Sequence, residues 1–233
     1  MGPRDITALL FDLDGTIVDT RRQHYEASRI ALAECGVGID QAFYDARIEG
    51  AANAEITASL FPDAGAPAHA AYAERKEALN RELVGELVAI AGAEALLGAA
   101  RASGIRLALV TNAPGPNVEL VLARLGLEGA FDTIVLGDSL PRAKPDPLPY
   151  TVALDRLDCA AGEAIGFEDS LAGVVALKAA DVTAVAVATS RPETELLAAG
   201  ADLVVADFEA PALAGLAALS ARLGRWTGGT PYR

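Results

Sequence analysis

The stretch Ala8-Leu9-Leu10-Phe11-Asp12-Leu13-Asp14-Gly15-Thr16 decides how the rest of the chain is read. An apolar run ends in two aspartates spaced two apart, followed by Gly-Thr. A short apolar run closed by a turn signal reads as a buried strand, here over residues 6–11. Open α/β sheets bind ligands outside the carboxyl ends of their strands, so Asp12 and Asp14 are expected where chemistry is done. Carboxylates this close repel each other unless a cation or a proton lies between them. Gly15 permits a sharp exit of the backbone toward a bound group. Taken alone, the stretch fits a simple acidic turn equally well.

Outward from this strand the pattern alternates. Apolar runs at 105–110, 133–136, 164–167, 182–187 and 203–205 read as strands. Helices are expected over 93–102, 117–125, 146–157 and 171–180. Strands alternating with helices imply βαβ units, a parallel sheet, and right-handed crossovers that put helices on both faces. Residues 19–87 break this rhythm. They are rich in Ala and Glu, with breaks near Gly50, at Phe61-Pro62-Asp63 and at Gly65-Ala66-Pro67. Asp19 or Thr20 is placed to cap the first helix, which Cys35-Gly36 ends. The expected fold is α/β: a doubly wound, Rossmann-like parallel core of residues 1–18 and 88–233, with an all-α helical cap of residues 19–87 inserted after strand one. An insert at that strand end is expected to act as a lid. The tail from Trp226 to Arg233 is expected to be loose.

The composition narrows the function classes. Of 233 residues, 52% are hydrophobic, enough for a sizeable core. With 19 Lys and Arg against 32 Asp and Glu, the net charge is −13. Such a surface repels nucleic acid and anionic membranes, so neither is an expected partner. It also repels phosphorylated substrates unless a cation and local basic groups reverse the field at the site. Cys35 and Cys159 lack metal-ligand spacing and read as free thiols. No charge-free apolar stretch reaches membrane-spanning length, and residues 1–5 leave no room for a signal peptide before the first strand, so a cytoplasmic protein is expected.

Three more polar clusters follow strands or lie in loops on the same edge: Thr111-Asn112, Lys144-Pro145-Asp146-Pro147 and Glu168-Asp169-Ser170. Singly, each has a bland reading as a helix cap, a turn or a solvated loop. Together with Asp12 and Asp14 they supply the parts of phosphoryl transfer through an enzyme carboxylate. One Asp must attack. A second acidic group must protonate the leaving oxygen and later deprotonate a water. A hard divalent cation must neutralise phosphate and carboxylates, and magnesium suits one or two carboxylates plus phosphate oxygens. A hydroxyl, backbone amides and a fixed Lys must hold the transferring group. Spacing alone does not say which Asp attacks.

On these four motifs the chain resembles the haloacid dehalogenase superfamily, in its phosphatase and phosphomutase branch, over nearly its whole length. The segments Lys144-Pro145-Asp146-Pro147 and Phe167-Glu168-Asp169-Ser170 are most similar to the group of phosphoglycolate phosphatases, sugar phosphatases and β-phosphoglucomutase. The resemblance implies that Asp12 is the nucleophile, forming an aspartyl-phosphate, and that Asp14 is the general acid and base. It implies magnesium held by Asp12, the Asp14 carbonyl and Asp169, with Glu168 binding the metal through water or orienting Lys144. Thr111 and the Asn112 amide would hold phosphoryl oxygens, and Lys144 would pair with Asp12 and the phosphate. In the insert, the resemblance points to His24 and to the loop around Gly50 as substrate-contacting.

The expected activity is magnesium-dependent hydrolysis of a small phosphomonoester, of phosphoglycolate or sugar phosphate type, by a monomer or homodimer. The alternative is a β-phosphoglucomutase-like phosphomutase. Glu49 and Asn53 stand where the mutase pattern has basic groups for a second phosphate, which weighs against it. Asp14 disfavours a true dehalogenase, whose branch does not keep an Asp there. A phosphorylation-receiver module shares the acidic pair, Thr, Lys and magnesium, but not the insert. Asn117 is placed to reach a substrate hydroxyl; Arg75, Lys76 and Arg81 read as a solvated helix face, and His69 as structural.

Overall fold

Six parallel strands form one sheet in the computed structural model, which describes residues 6–49, 51 and 53–213. The strands are β1 (Ala8–Phe11), β2 (Arg106–Thr111), β3 (Thr133–Leu136), β4 (Ala164–Glu168), β5 (Thr183–Val187) and β6 (Leu203–Val205). Their spatial order is β3-β2-β1-β4-β5-β6. The chain steps outward from β1 through β2 to β3, then returns to the other side of β1 as β4. The order therefore reverses between β1 and β4, and the crevice outside their carboxyl ends is where such sheets bind ligands. Phe11, the last residue of β1, pairs with Leu109 on one side and Phe167 on the other. That register brings the segments after β1, β2 and β4 to one edge.

The helices of this part are α5 (Ala93–Ala102), α6 (Gly115–Leu125), α7 (Leu148–Leu157), α8 (Leu171–Ala179) and α9 (Glu193–Ala198). Both faces of the central strands are covered, so β1 and β4 are buried at every residue. Leu10, Val110, Tyr150, Leu154 and Leu177 share one core cluster. Phe11 stacks on Phe167 with ring centroids 4.8 Å apart, and Phe208 tilts against Phe167 at 5.3 Å. Such ring pairs contribute about 0.5–1.5 kcal/mol beyond their burial and stiffen the floor beneath the strand ends.

Element boundaries differ from expectation where polarity misleads. β2 and β4 each run one residue further, to Thr111 and Glu168, because Thr111 pairs with Leu136 and Glu168 with Ala186 in the ladder. β1 starts at Ala8, and α9 is an element the apolar pattern did not announce.

The chain divides into two compact units, with boundaries at Asp19/Thr20 and Leu87/Val88. The sheet and its helices form one. The other contains α1 (Arg21–Glu34), α2 (Gln41–Arg47), α3 (Asn53–Leu60) and α4 (Ala66–Glu82) around Ala27, Leu32, Tyr44, Ile56, Tyr72 and Leu79. Thr20 occupies the N-cap position of α1 but makes no side-chain cap bond, contrary to expectation. Asp40 does cap α2, accepting from the Phe43 N–H at 2.8 Å. No helix among the described residues is long and apolar enough to cross a membrane. Residues 226–233 lie outside the described residues.

Candidate active site

The loop after β1 is a tight turn. The Asp12 N–H donates to the Phe167 carbonyl at 3.0 Å, which ties the first residue past β1 to β4. The Leu13 carbonyl then accepts from Ile17 at 2.9 Å, and the Gly15 N–H donates to the Val18 carbonyl at 2.7 Å. Gly15 has φ +78°, a conformation glycine adopts without cost. A Cβ there would also lie 2.1 Å from Asp169 Oδ2, so the absent side chain is the space that Asp169 uses.

Lys144 is the hub. It is buried, and its ammonium donates to Asp12 Oδ1 at 2.7 Å, to Glu168 Oε1 at 2.5 Å and to the Val110 carbonyl at 2.6 Å. Three donors meet three acceptors. Asn112 holds the Lys144 backbone from both sides: its Nδ2 donates to the Lys144 carbonyl and its Oδ1 accepts from the Lys144 N–H, each at 3.2 Å. Glu168 is fully buried. Its Oε1 accepts from Lys144 and from the Tyr150 hydroxyl at 2.6 Å. Its Oε2 accepts from Ser170 Oγ at 3.1 Å and from the Asp169 N–H at 3.3 Å. Asp169 Oδ2 accepts from Ser190 Oγ, and Thr16 Oγ1 lies 3.5 Å from its Oδ1.

The electrostatics follow from this crowding. Burial raises the Asp12 pKa well above the ordinary carboxylate range; Lys144 opposes this, while Glu168, Asp169 and Asp14 reinforce it. Burial, then the Glu168 charge, push Asp169 up to about 7. Burial alone would lower the Lys144 pKa, but the charges of Asp12 and Glu168 outweigh it and raise the net value. Buried carboxylates that raise one another's pKa make a strong case for an added cation. Asp12, Glu168 and Asp169 each offer an oxygen within 4.8 Å of the others, all three residues buried. Hard carboxylate oxygens in such a set suit magnesium, so the residues present fit the metal.

Comparison with known proteins gives the family. Residues 9–187 match the family model described as haloacid dehalogenase-like hydrolase. The chain belongs to that family. Among haloacid dehalogenase-like relatives it is 36% identical over 225 residues to the protein CbbY of Cereibacter sphaeroides, covering 91% of this chain and 96% of the relative. It is 35% identical over 182 residues to the plasmid-encoded phosphoglycolate phosphatase of Cupriavidus necator, covering 76% and 78%. The crystal structure of CbbY from Rhodobacter sphaeroides in complex with phosphate superposes with a TM-score of 0.78 at 30% identity, covering 87% of this chain and 95% of that one.

Not every candidate of the haloacid dehalogenase-like motifs reaches the cluster. Asp14 is half-buried and close enough to shift Asp12 and Asp169. Thr111 is buried at the end of β2, its Oγ1 accepting from the Ala113 N–H at 3.0 Å. Asn117 is buried on α6. His24 is half-buried on α1 in the helical unit, within electrostatic reach of Glu77. Gly50 lies outside the described residues. The helix-face reading of Lys76 is corrected. Lys76 is buried, donating to Glu77 Oε1 at 3.0 Å and to Asn53 Oδ1 at 3.1 Å, because α4 turns this position inward. Arg75 does stay exposed, paired with Glu34.

Four contributors escaped the sequence reading. Tyr150 follows Lys144 by six residues, in the first turn of α7, and reads as an ordinary core aromatic. Gly173 reads as a helical glycine, yet a Cβ there would fall 1.8 Å from the Glu168 carboxyl carbon. Thr189 and Ser190 follow β5 as polar residues after an apolar run, the same signal that exposed the other clusters. Thr189 Oγ1 donates to the Gly15 carbonyl at 2.5 Å.

Proposed function

We propose that this haloacid dehalogenase-like hydrolase is a magnesium-dependent phosphatase of a small phosphomonoester, of phosphoglycolate or sugar phosphate type, working through an aspartyl-phosphate on Asp12. The observation that carries the reading is the Lys144 ammonium bonded at once to Asp12 Oδ1 and Glu168 Oε1 beside the reversal of strand order. A buried lysine held on a carboxylate favours the charged form of that carboxylate and aims it, as a nucleophile requires. Asp12 attacks phosphorus, the ester P–O bond breaks, and Asp14 gives its proton to the leaving alkoxide. Asp14 then takes a proton from water, whose oxygen attacks phosphorus; the Asp12–phosphorus bond breaks and inorganic phosphate leaves.

Thr111 Oγ1 and the Asn112 N–H are assigned to the phosphoryl oxygens, the Asn112 side chain to holding the lysine loop. Asp12, the Asp14 carbonyl and Asp169 would hold magnesium, which would supply charge neutralisation for phosphate and carboxylates. Both oxygens of Glu168 carry protein donors, which favours for Glu168 the task of orienting Lys144. A relative named phosphoglycolate phosphatase and a structural neighbour solved with phosphate support the substrate class. In the helical unit Lys76 is matched to Glu77 and Arg21 to Glu49, an arrangement that favours water over a bisphosphate-gripping mutase.

Asp12→Asn removes the nucleophile without changing its shape. Turnover of phosphoglycolate and hexose phosphates with magnesium should fall by at least about a thousandfold while the melting temperature is kept. Hydrolysis at the wild-type rate in that variant would end the proposal.

A further inference from the structure

Tyr150 is a fully buried titratable residue to which the steps above give no part. Its ring belongs to the core cluster with Leu10, Val110 and Leu154. A phenylalanine would fill that volume equally well. Burying a hydroxyl costs free energy unless it is bonded, and Tyr150 places its O–H on Glu168 Oε1 at 2.6 Å. The same oxygen accepts from Lys144 at 2.5 Å, and the Lys144 ammonium lies 5.1 Å from the Tyr150 ring centroid.

We infer that Tyr150 is a positioning residue: its hydroxyl shares the Glu168 oxygen with Lys144 and so keeps the ammonium divided between Glu168 and Asp12. This rests on the reading of Asp12 as nucleophile. A carboxylate oxygen holding one fixed donor has less charge to offer a second. Without the Tyr150 hydroxyl, Lys144 becomes the sole donor to Oε1 among the bonds described. In a site of low dielectric the ammonium is then drawn toward Glu168. The flexible lysine stem offers little resistance, and the 2.7 Å bond to Asp12 Oδ1 lengthens. The nucleophile loses aim before the reaction, while substrate binding is little touched.

Tyr150→Phe tests this, since it keeps the ring, its packing and its contact with Lys144. With p-nitrophenyl phosphate and magnesium, kcat should fall about ten- to a hundredfold, the usual cost of losing an outer-shell partner, with KM within about twofold. The melting temperature should stay within about 4 °C. A second readout needs neither metal nor turnover. In protein labelled with 15N-lysine, the Lys144 ammonium resonance, assigned by its loss in Lys144→Met, should shift in Tyr150→Phe. In a Glu168→Gln background, adding Tyr150→Phe should change kcat by less than about twofold, because the effect runs through Glu168. An unshifted ammonium resonance, with kcat within about twofold of wild type, would overturn the inference. If the wild type hydrolyses no phosphomonoester, the phosphatase reading fails by itself; the resonance still decides where Tyr150 holds Lys144.

Discussion

Asp12 and Asp14 sit two residues apart, yet the fold treats them differently. Asp12 is buried and bonded to Lys144, whereas Asp14 is half-buried. A nucleophile gains from a fixed donor; a proton carrier needs room to meet both leaving group and water. Asp169 offers the measurable consequence. Its carboxyl is raised from 3.8 to about 7 in the folded protein, chiefly by burial and by Glu168. The folded state therefore binds this proton more tightly than the unfolded chain. The stability so gained is full below pH 3.8 and is lost as pH rises through about 7. In metal-free protein, the melting temperature of wild type relative to Asp169→Asn should fall across that window. Saturating magnesium, which binds the deprotonated form, should flatten the fall. A difference that is flat, or that rises with pH, in the metal-free protein would contradict the assignment.

At the scale of elements, what a helix leaves out matters as much as what it presents. α8 approaches β4 with Gly173 facing Glu168, and a Cβ at Gly173 would come within 1.8–2.1 Å of the carboxylate atoms. A single methyl group must therefore displace Glu168, and with it Lys144. Gly173→Ala should cost about 2–3 kcal/mol by denaturant titration, through overpacking and the loosened ion pair, and should abolish turnover. Gly98 in α5 is the control. It is exposed and a Cβ there meets nothing within 4 Å, so Gly98→Ala should stabilise by about 0.5–1 kcal/mol and leave activity unchanged. Equal effects at the two glycines would show that helix propensity, not the space beside Glu168, decides. The strand ends carry a related lesson. Thr111 and Glu168 stay in the ladder although they are polar, because backbone pairing, not side-chain polarity, determines where a parallel strand stops.

On the scale of the whole molecule, the insert leaves and rejoins the sheet unit at adjacent points. The Asp19 N–H donates to the Val88 carbonyl at 3.1 Å, and the Ile90 N–H to the Ile17 carbonyl at 2.8 Å. Replacing residues 20–87 by a short glycine linker therefore spans a gap the backbone has already closed, at a loop-closure cost lower than that of the native insertion. The excised chain should keep a cooperative melt and the far-UV dichroism of an α/β sheet. A non-cooperative melt would show that the sheet unit depends on the helical one. The sequence by itself determined the alternation of strands and helices, the place of the helical insert and the four polar clusters. These are local properties: apolar runs of strand length, a stretch without any, and residue types whose chemistry converges. Three things were decided only in three dimensions. Lys144 reaches Asp12 across 132 residues of chain and Glu168 across 24, a meeting that the family resemblance implied but that only the reversal of strand order brings about. Lys76 turns from an expected surface cation into a buried ion pair, because helix rotation depends on what the helix packs against. Tyr150 and Gly173 look like ordinary core and helix residues in sequence, since one hydroxyl bond and one missing methyl acquire meaning only beside a buried carboxylate.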